Sequence, residues 1–157
     1  MANSLGALLA RALPQRLDTD LLIPVPLHPN RLRSREFNQA LLLADRVGAV
    51  LRRPVSYRNL VRIVDTDPQT TLPRSARLHN LRKAFALRNP QEVSGKRILL
   101  IDDVFTTGTT VNECARILLE AGAQDIEVLA LARSVDAGMI PDGSLPPSAF
   151  HQRELRV

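Results

Sequence analysis

Residues 97–110 read Arg-Ile-Leu-Leu-Ile-Asp-Asp-Val-Phe-Thr-Thr-Gly-Thr-Thr, and this stretch decides the fold. An apolar run, Ile98 to Ile101, ends in two adjacent carboxylates, Asp102 and Asp103, and passes into a turn of Thr and Gly. Val111 to Gly122 then carries apolar residues at helical spacing. The pattern predicts a buried strand that delivers the acid pair to its C-terminal end, followed by a hydroxyl-rich loop that opens a helix. Such a helix start offers backbone N–H groups without intrahelical acceptors and a partial positive charge, both suited to a phosphate. Paired carboxylates suit vicinal hydroxyls or a hydrated cation. A ligand with a sugar diol at one end and a phosphate at the other fits both.

A plainer reading is a strand ending in a helix cap, since one Asp or Thr can cap a helix without doing chemistry. That accounts for one polar residue and leaves the second carboxylate and most of the Thr hydroxyls without a reason. A flavodoxin-like phosphate loop also uses Thr and Gly, but it lacks an acid pair and follows the first strand. A dehalogenase-like Asp-x-Asp nucleophile fails because Val104 stands two positions after Asp102. Neither the P-loop pattern nor the dinucleotide Gly pattern occurs in the chain.

A length of 157 residues fits one domain with a sizeable core. Only 3% of residues are aromatic against 45% hydrophobic, so the core must be built from Leu, Val, Ile and Ala. No apolar run is long enough to span a membrane, and the N-terminus lacks the basic start and long apolar centre of a signal peptide. These features predict a cytoplasmic protein. The single cysteine, Cys114, excludes an intrachain disulfide and a Cys-based zinc site. Its helical phase with Val111 and Leu118 makes it a core residue. The net charge of +5 comes almost wholly from arginines, Lys83 and Lys96 being the only lysines. Arg favours bidentate phosphate contacts, though genomic base composition explains the bias equally well.

Further out, Leu21 to Val25 is an apolar run among prolines and predicts a short buried strand. A basic loop follows, and Phe37 to Val50 has helical spacing. Pro54 to Tyr57 predicts a weaker strand, Val64 to Ser75 an exposed loop, Ala76 to Lys83 a helix, Ala84 to Leu87 a short strand and Asn89 to Gly95 a turn. Ile126 to Ala132 predicts another apolar strand. The alternation argues for an α/β fold, a mostly parallel sheet with helices on both faces, whose ligands gather at the C-terminal strand ends. The expected organisation is an N-terminal helical segment over 1–20, the sheet domain over 21–135 and an irregular tail over 136–157.

The segment from Asp102 to Thr110 resembles the signature of the type I phosphoribosyltransferases. A second block, Pro24-Val25-Pro26-Leu27-His28-Pro29-x-Arg31-Leu32-x-x-Arg35-x-Phe37-Asn38-Gln39, is similar to the ComF (competence protein F) branch of that family. Thr66, Gln69, Arg74, Arg77, Asn80 and Ala84-Phe85 fall at the same branch's spacing, so the resemblance spans about residues 20–135. The chain departs from the branch at Glu36, where members usually have Gly. It also lacks the cysteine-rich zinc module that usually precedes the transferase domain in that branch.

The resemblance implies roles residue by residue. Asp102 and Asp103 would be the catalytic pair that holds the ribose hydroxyls of phosphoribosyl pyrophosphate. Thr106, Thr107, Gly108, Thr109 and Thr110 would hold the 5-phosphate. Arg35, Asn38 and Gln39 would serve the pyrophosphate, and Arg74 and Arg77 the leaving diphosphate from a mobile loop. Mg²⁺ would be the cofactor, held mainly through the substrate rather than by a protein metal site. The implied reaction displaces pyrophosphate from C1 by a nitrogen acceptor that the sequence does not identify. A non-enzymatic phosphoribosyl pyrophosphate-binding protein acting in DNA uptake or processing stands beside it. The resemblance also admits a homodimer.

A small positive excess without Trp and with Tyr57 as the only tyrosine predicts weak, sequence-independent DNA binding. Filter binding on single-stranded DNA should show affinity falling steeply as salt rises. Tight, salt-insensitive binding would contradict this reading.

Overall fold

The computed structural model describes residues 13, 17–26, 39–63, 84–105, 108–133 and 151–154, with the backbone alone at 104–105, 131–133 and 151–154. The strands are β1 (Leu21–Pro24), β2 (Leu60–Arg62), β3 (Phe85–Leu87), β4 (Arg97–Phe105), β5 (Asp125–Arg133) and β6 (His151–Glu154). The helices are α1 (Gln39–Leu51) and α2 (Thr109–Glu120), and a short 3₁₀ turn spans Pro90–Glu92. One sheet has the order β1-β4-β5-β6 with all pairs parallel, and β2 and β3 form a separate antiparallel ribbon.

The apolar runs of β1 and β4 follow from this arrangement, because a parallel sheet covered on both faces needs apolar residues at successive positions. Leu22, Ile23, Leu99, Leu100 and Ile101 are fully buried. Strand alternation then divides two cores. Leu21, Ile23, Ile98, Leu100, Ile126 and Val128 pack with Val111, Cys114, Ala115 and Leu118 of α2. Leu22, Leu99, Ile101 and Leu129 pack with Leu43, Ala44 and Val47 of α1. The helices therefore cover opposite faces, as the α/β pattern predicts.

Each helix buries the stripe that its spacing dictates. In α1 it is Ala40, Leu43, Ala44, Val47 and Gly48. Gly48 lets the helix end approach the chain beside β1, since a Cβ there would lie 2.6 Å from Val55 Cγ2. Helix α2 stops at Gly122, where φ is +92°. The Gly122 and Ala123 N–H groups donate to Leu119 and Leu118 at 2.9 and 3.0 Å, the paired bonds of a Schellman stop.

Three differences from the sequence reading have physical reasons. Pro54 to Tyr57 forms a single bridge, Val55 opposite Leu22, rather than a strand. The Leu22 N–H donates to Pro54 O, and the Ser56 N–H to Leu22 O. Strand β2 is three residues long, too short for any alternation to register. The expected irregular tail contains β6, which lies parallel to β5 with Glu127 opposite His151. His-Gln-Arg-Glu has no strand pattern, and its pairing at the sheet edge rests on backbone bonds. The expected helices over 1–20 and 76–83 fall outside the described residues, residue 13 and residues 17–20 apart.

At the N-terminal end of β4, Arg97 closes the sheet. Its Nε and Nη2 donate to the two Asp20 carboxylate oxygens at 2.9 and 2.7 Å, and its backbone N–H donates to the same carboxylate. Asp18 makes a further ion pair with Arg97. These hydrogen bonds hold the Asp20 carboxyl well below the usual carboxylate range.

Two predictions follow from the packing and the charge. Gly48→Ala forces Val55 or the helix to shift and should lower stability by about 1–3 kcal/mol in urea titrations. A change within error would show that the close approach is easily relieved. Because the folded pKa of Asp20 is depressed, its contribution is full above the unfolded value and disappears as pH falls through the folded one. The Tm gap between the natural chain and Asp20→Asn should thus be constant near neutrality and narrow below pH about 4. A gap that stays fixed down to the acid limit would remove the carboxylate from the account.

Candidate functional site at the C-terminal strand edge

The site begins where β1 ends. β1 pairs with β4 only from Leu21↔Ile98 to Pro24↔Ile101, and the Val25 N–H makes a last bond to Ile101 O at 2.8 Å. β4 continues beside β5 through Asp102↔Ala130 to Phe105↔Arg133. On the β1 side, Asp102 and Asp103 therefore project past the last paired residue. Next in sequence after β1 comes α1 on one face, and after β4 comes α2 on the other. Adjacent strands whose connections part in this way define the topological switch point where α/β sheets bind ligands.

The two carboxylates are half-buried. Strand alternation continues Ile98 and Leu100 to Asp102, on the α2 side, and Leu99 and Ile101 to Asp103, on the α1 side. The pair thus straddles the sheet at its edge rather than lying on one face. The Asp103 N–H donates to Asp102 Oδ1 at 2.9 Å, which orients the Asp102 carboxylate.

Gly108 ends the connection from β4. It is buried, has φ +74°, and occupies the cap position of α2 with no side-chain cap bond. A left-handed cap favours glycine. The Gly108 carbonyl accepts the Asn112 N–H at 2.8 Å, so the helix proper starts at Thr109. The plain reading of an Asp or Thr capping side chain is not what the described residues show. Thr109 and Thr110 are half-buried in the first turn.

The structure thus brings Asp102, Asp103, Gly108, Thr109 and Thr110 together on one strand-to-helix connection. Gln39 is the first residue of α1 and is exposed, at the helix end reached from the C-terminal side of β1. Thr106, Thr107, Arg35, Asn38, Arg74 and Arg77 lie outside the described residues, as does Glu36.

Two residues that the sequence reading passed over or set aside belong to this end of the molecule. Cys114 is fully buried beneath the acid pair. Burial, then the Asp102 and Glu113 carboxylates, push its thiol far up, and the Arg62 guanidinium opposes them. Arg62 ends β2, and its guanidinium lies 5.5 Å from the centroid of the Phe85 ring. A three-residue strand gives no sequence signal that would single it out. Elsewhere, an open depression of about 410 Å³ is lined by Ser56, Tyr57, Arg58, Asn59 and Arg88 among others, and none of the sequence-predicted site residues line it. Beneath it, the buried Asn59 amide bonds both the N–H and the carbonyl of Asn89. Among the described residues, no helix is long and apolar enough to cross a membrane.

Residues 38–142 match the family described as phosphoribosyl transferase domain. The chain is 37% identical over 116 residues to competence protein F of Haemophilus influenzae, covering 73% of this chain and 51% of that one. It is 36% identical over 116 residues to the DNA utilization protein YhgH of Escherichia coli K12, covering 74% and 50%. The chain thus spans about half the length of these curated relatives. Among solved structures, glutamine phosphoribosylpyrophosphate amidotransferase from B. subtilis superposes with a TM-score of 0.54 at 22% identity, covering 82% of this chain and 25% of that one. That likeness shows the fold. With the parallel sheet, the acid pair at its switch point and the matched residues taken together, the chain belongs to the phosphoribosyl transferase domain family, in its ComF branch.

Proposed function

We propose that this chain binds phosphoribosyl pyrophosphate with Mg²⁺ and transfers the phosphoribosyl group to a nitrogen acceptor. The observation that carries the reading is the acid pair on β4, projecting past the end of β1 and joined through Gly108 to the start of α2. Asp102 and Asp103 hold the ribose 2- and 3-hydroxyls from the two sides of the strand end. The Thr106 to Thr110 loop and the α2 start receive the 5-phosphate. The segment after β1, with Arg35, Asn38 and Gln39, serves the pyrophosphate, and Arg74 and Arg77 meet it as it leaves.

The donor chemistry suits a cation that arrives with the substrate. Two carboxylates sit at the strand end, and among the described residues no three His, Cys, Asp or Glu side chains gather as a metal site. Asp102 and Asp103 are the residues placed to hold Mg²⁺, directly or through its waters. Bound there, the ion supplies neutralisation of the diphosphate charge. The chain's own contribution is to fix the ribose and present donors to the leaving oxygens, so that the oxocarbenium-like charge at C1 develops in a held geometry.

A second reading rests on the printed names of the relatives, competence protein F and DNA utilization protein. There the same site binds phosphoribosyl pyrophosphate without turnover, as part of DNA uptake or processing. Release of pyrophosphate with a defined nucleobase separates the two readings.

Asp102→Asn and Asp103→Asn should each weaken phosphoribosyl pyrophosphate binding by about 1.5–3 kcal/mol, the worth of a charge-assisted hydrogen bond. Each should leave Tm within a few degrees, since both residues are only half-buried. Calorimetry that finds both variants unchanged in affinity would sink the assignment.

A further inference from the structure

The acid pair creates an electrostatic difficulty that the loop beside it does not remove. A sugar bearing a diphosphate carries several negative charges, and two adjacent carboxylates at the strand end repel it. A site of this kind needs a cation fixed close to the carboxylates. At the described residues, the arginines of the main sheet and of α2 are committed elsewhere. Arg97 is clamped to Asp20 and Asp18 at the opposite end of β4. Arg116 is bound to Glu113 and Glu120 along α2.

Arg62 stands on the required side. It shares a face of the ribbon with Leu60, which is buried in the core that α2 covers. Its register partner on β3 is Phe85, whose side chain is buried in the same core. The guanidinium lies over that ring at 5.5 Å from the centroid, so the ring face holds it by cation–π attraction. A stacked guanidinium keeps its N–H donors around its rim, in a fixed plane suited to carboxylate and phosphate oxygens. The thiol of Cys114 reports the same neighbourhood, since Asp102 and Arg62 act on it with opposite sign. The carboxylate and the guanidinium therefore flank one point at the top of the α2 core.

We propose that Arg62, stacked on Phe85, is the charge-compensating residue of this site: it offsets the Asp102 carboxylate and binds an anionic oxygen of a diphosphate-bearing sugar phosphate. The proposal rests on the reading given under Proposed function and adds to it a residue outside the family motifs. It also gives the β2–β3 ribbon a part in ligand binding through its own strand residues.

The test uses the full chain, phosphoribosyl pyrophosphate with Mg²⁺, and inorganic pyrophosphate as a second probe. Affinities are measured by calorimetry for the natural chain, Arg62→Gln and Arg62→Lys, with thermal melts as the control for folding. Arg62→Gln should bind phosphoribosyl pyrophosphate roughly tenfold more weakly at low salt, as expected for a lost charge-assisted contact. Arg62→Lys should recover most of that loss, because it keeps the charge. The ratio between the natural chain and Arg62→Gln should shrink as NaCl rises from about 50 to 500 mM, because screening acts on the compensated charges. A merely structural role for Arg62 would lower Tm without producing this salt dependence or the rescue by Lys. Unchanged affinity in Arg62→Gln overturns the proposal, and so does Arg62→Lys binding as weakly as Arg62→Gln. A natural chain that binds neither probe overturns the proposed function along with it, whereas binding that is indifferent to Arg62 overturns this inference alone.

Discussion

The stagger between β1 and β4 is the constraint on which the site depends. Parallel pairing runs from Leu21 opposite Ile98 to Pro24 opposite Ile101 and then stops on one side only. β5 continues to support β4 for four more residues, so the acid pair is held in regular strand geometry while one flank is open. Were β1 longer, its backbone would fill the space beside Asp102 and Asp103. Were β5 shorter, the pair would sit on an unsupported loop. The prolines at positions 24 and 26 help to set the length, since Pro24 closes the strand and Pro26 has no N–H to extend the ladder.

Around this stagger the sheet separates its tasks by position. The N-terminal end of β4 is fastened by charge, with Arg97 reaching Asp20 through both guanidinium and backbone. The middle is fastened by apolar burial on both faces. The C-terminal end carries polar groups, and these are positioned by the two parts below them. The α2 side is the more elaborate, because Leu60, Ala84 and Phe85 of the ribbon and its flank join the helix over the sheet. The ribbon and the start of α2 thus share one core, so a disturbance of either is felt in the packing of the other.

The strand, acid pair and helix of residues 97–122 were legible because each had its own local signal. The strand had a run of four apolar residues, the helix had a regular apolar stripe, and Gly122 marked the stop. The role of Gly108 as a left-handed cap was not legible, since a Thr-rich turn offers several residues that could cap a helix. The division of Asp102 and Asp103 between the two faces was implicit in strand alternation, yet it needed the observation that β4 stays regular through both residues. Arg62 was hidden for another reason. Its importance comes from a ribbon partner 23 positions further along the chain, opposite it in register, and no local pattern encodes such a pairing. β6 was hidden in the same way, because an edge strand can be recruited by backbone bonds without an apolar face.

The seclusion of Cys114 has a practical consequence. Its thiol is fully buried and held protonated by its surroundings, so a thiol reagent in solution finds no thiolate to attack in the closed protein. Modification then requires that the α2 side of the sheet open, and the rate of labelling measures how often it does. As the chain's single cysteine, this residue is a native reporter of breathing directly under the acid pair, with no other sulfhydryl to confuse the signal. A ligand that clamps the strand edge to the helix start would register as a slower reaction at a group it never touches.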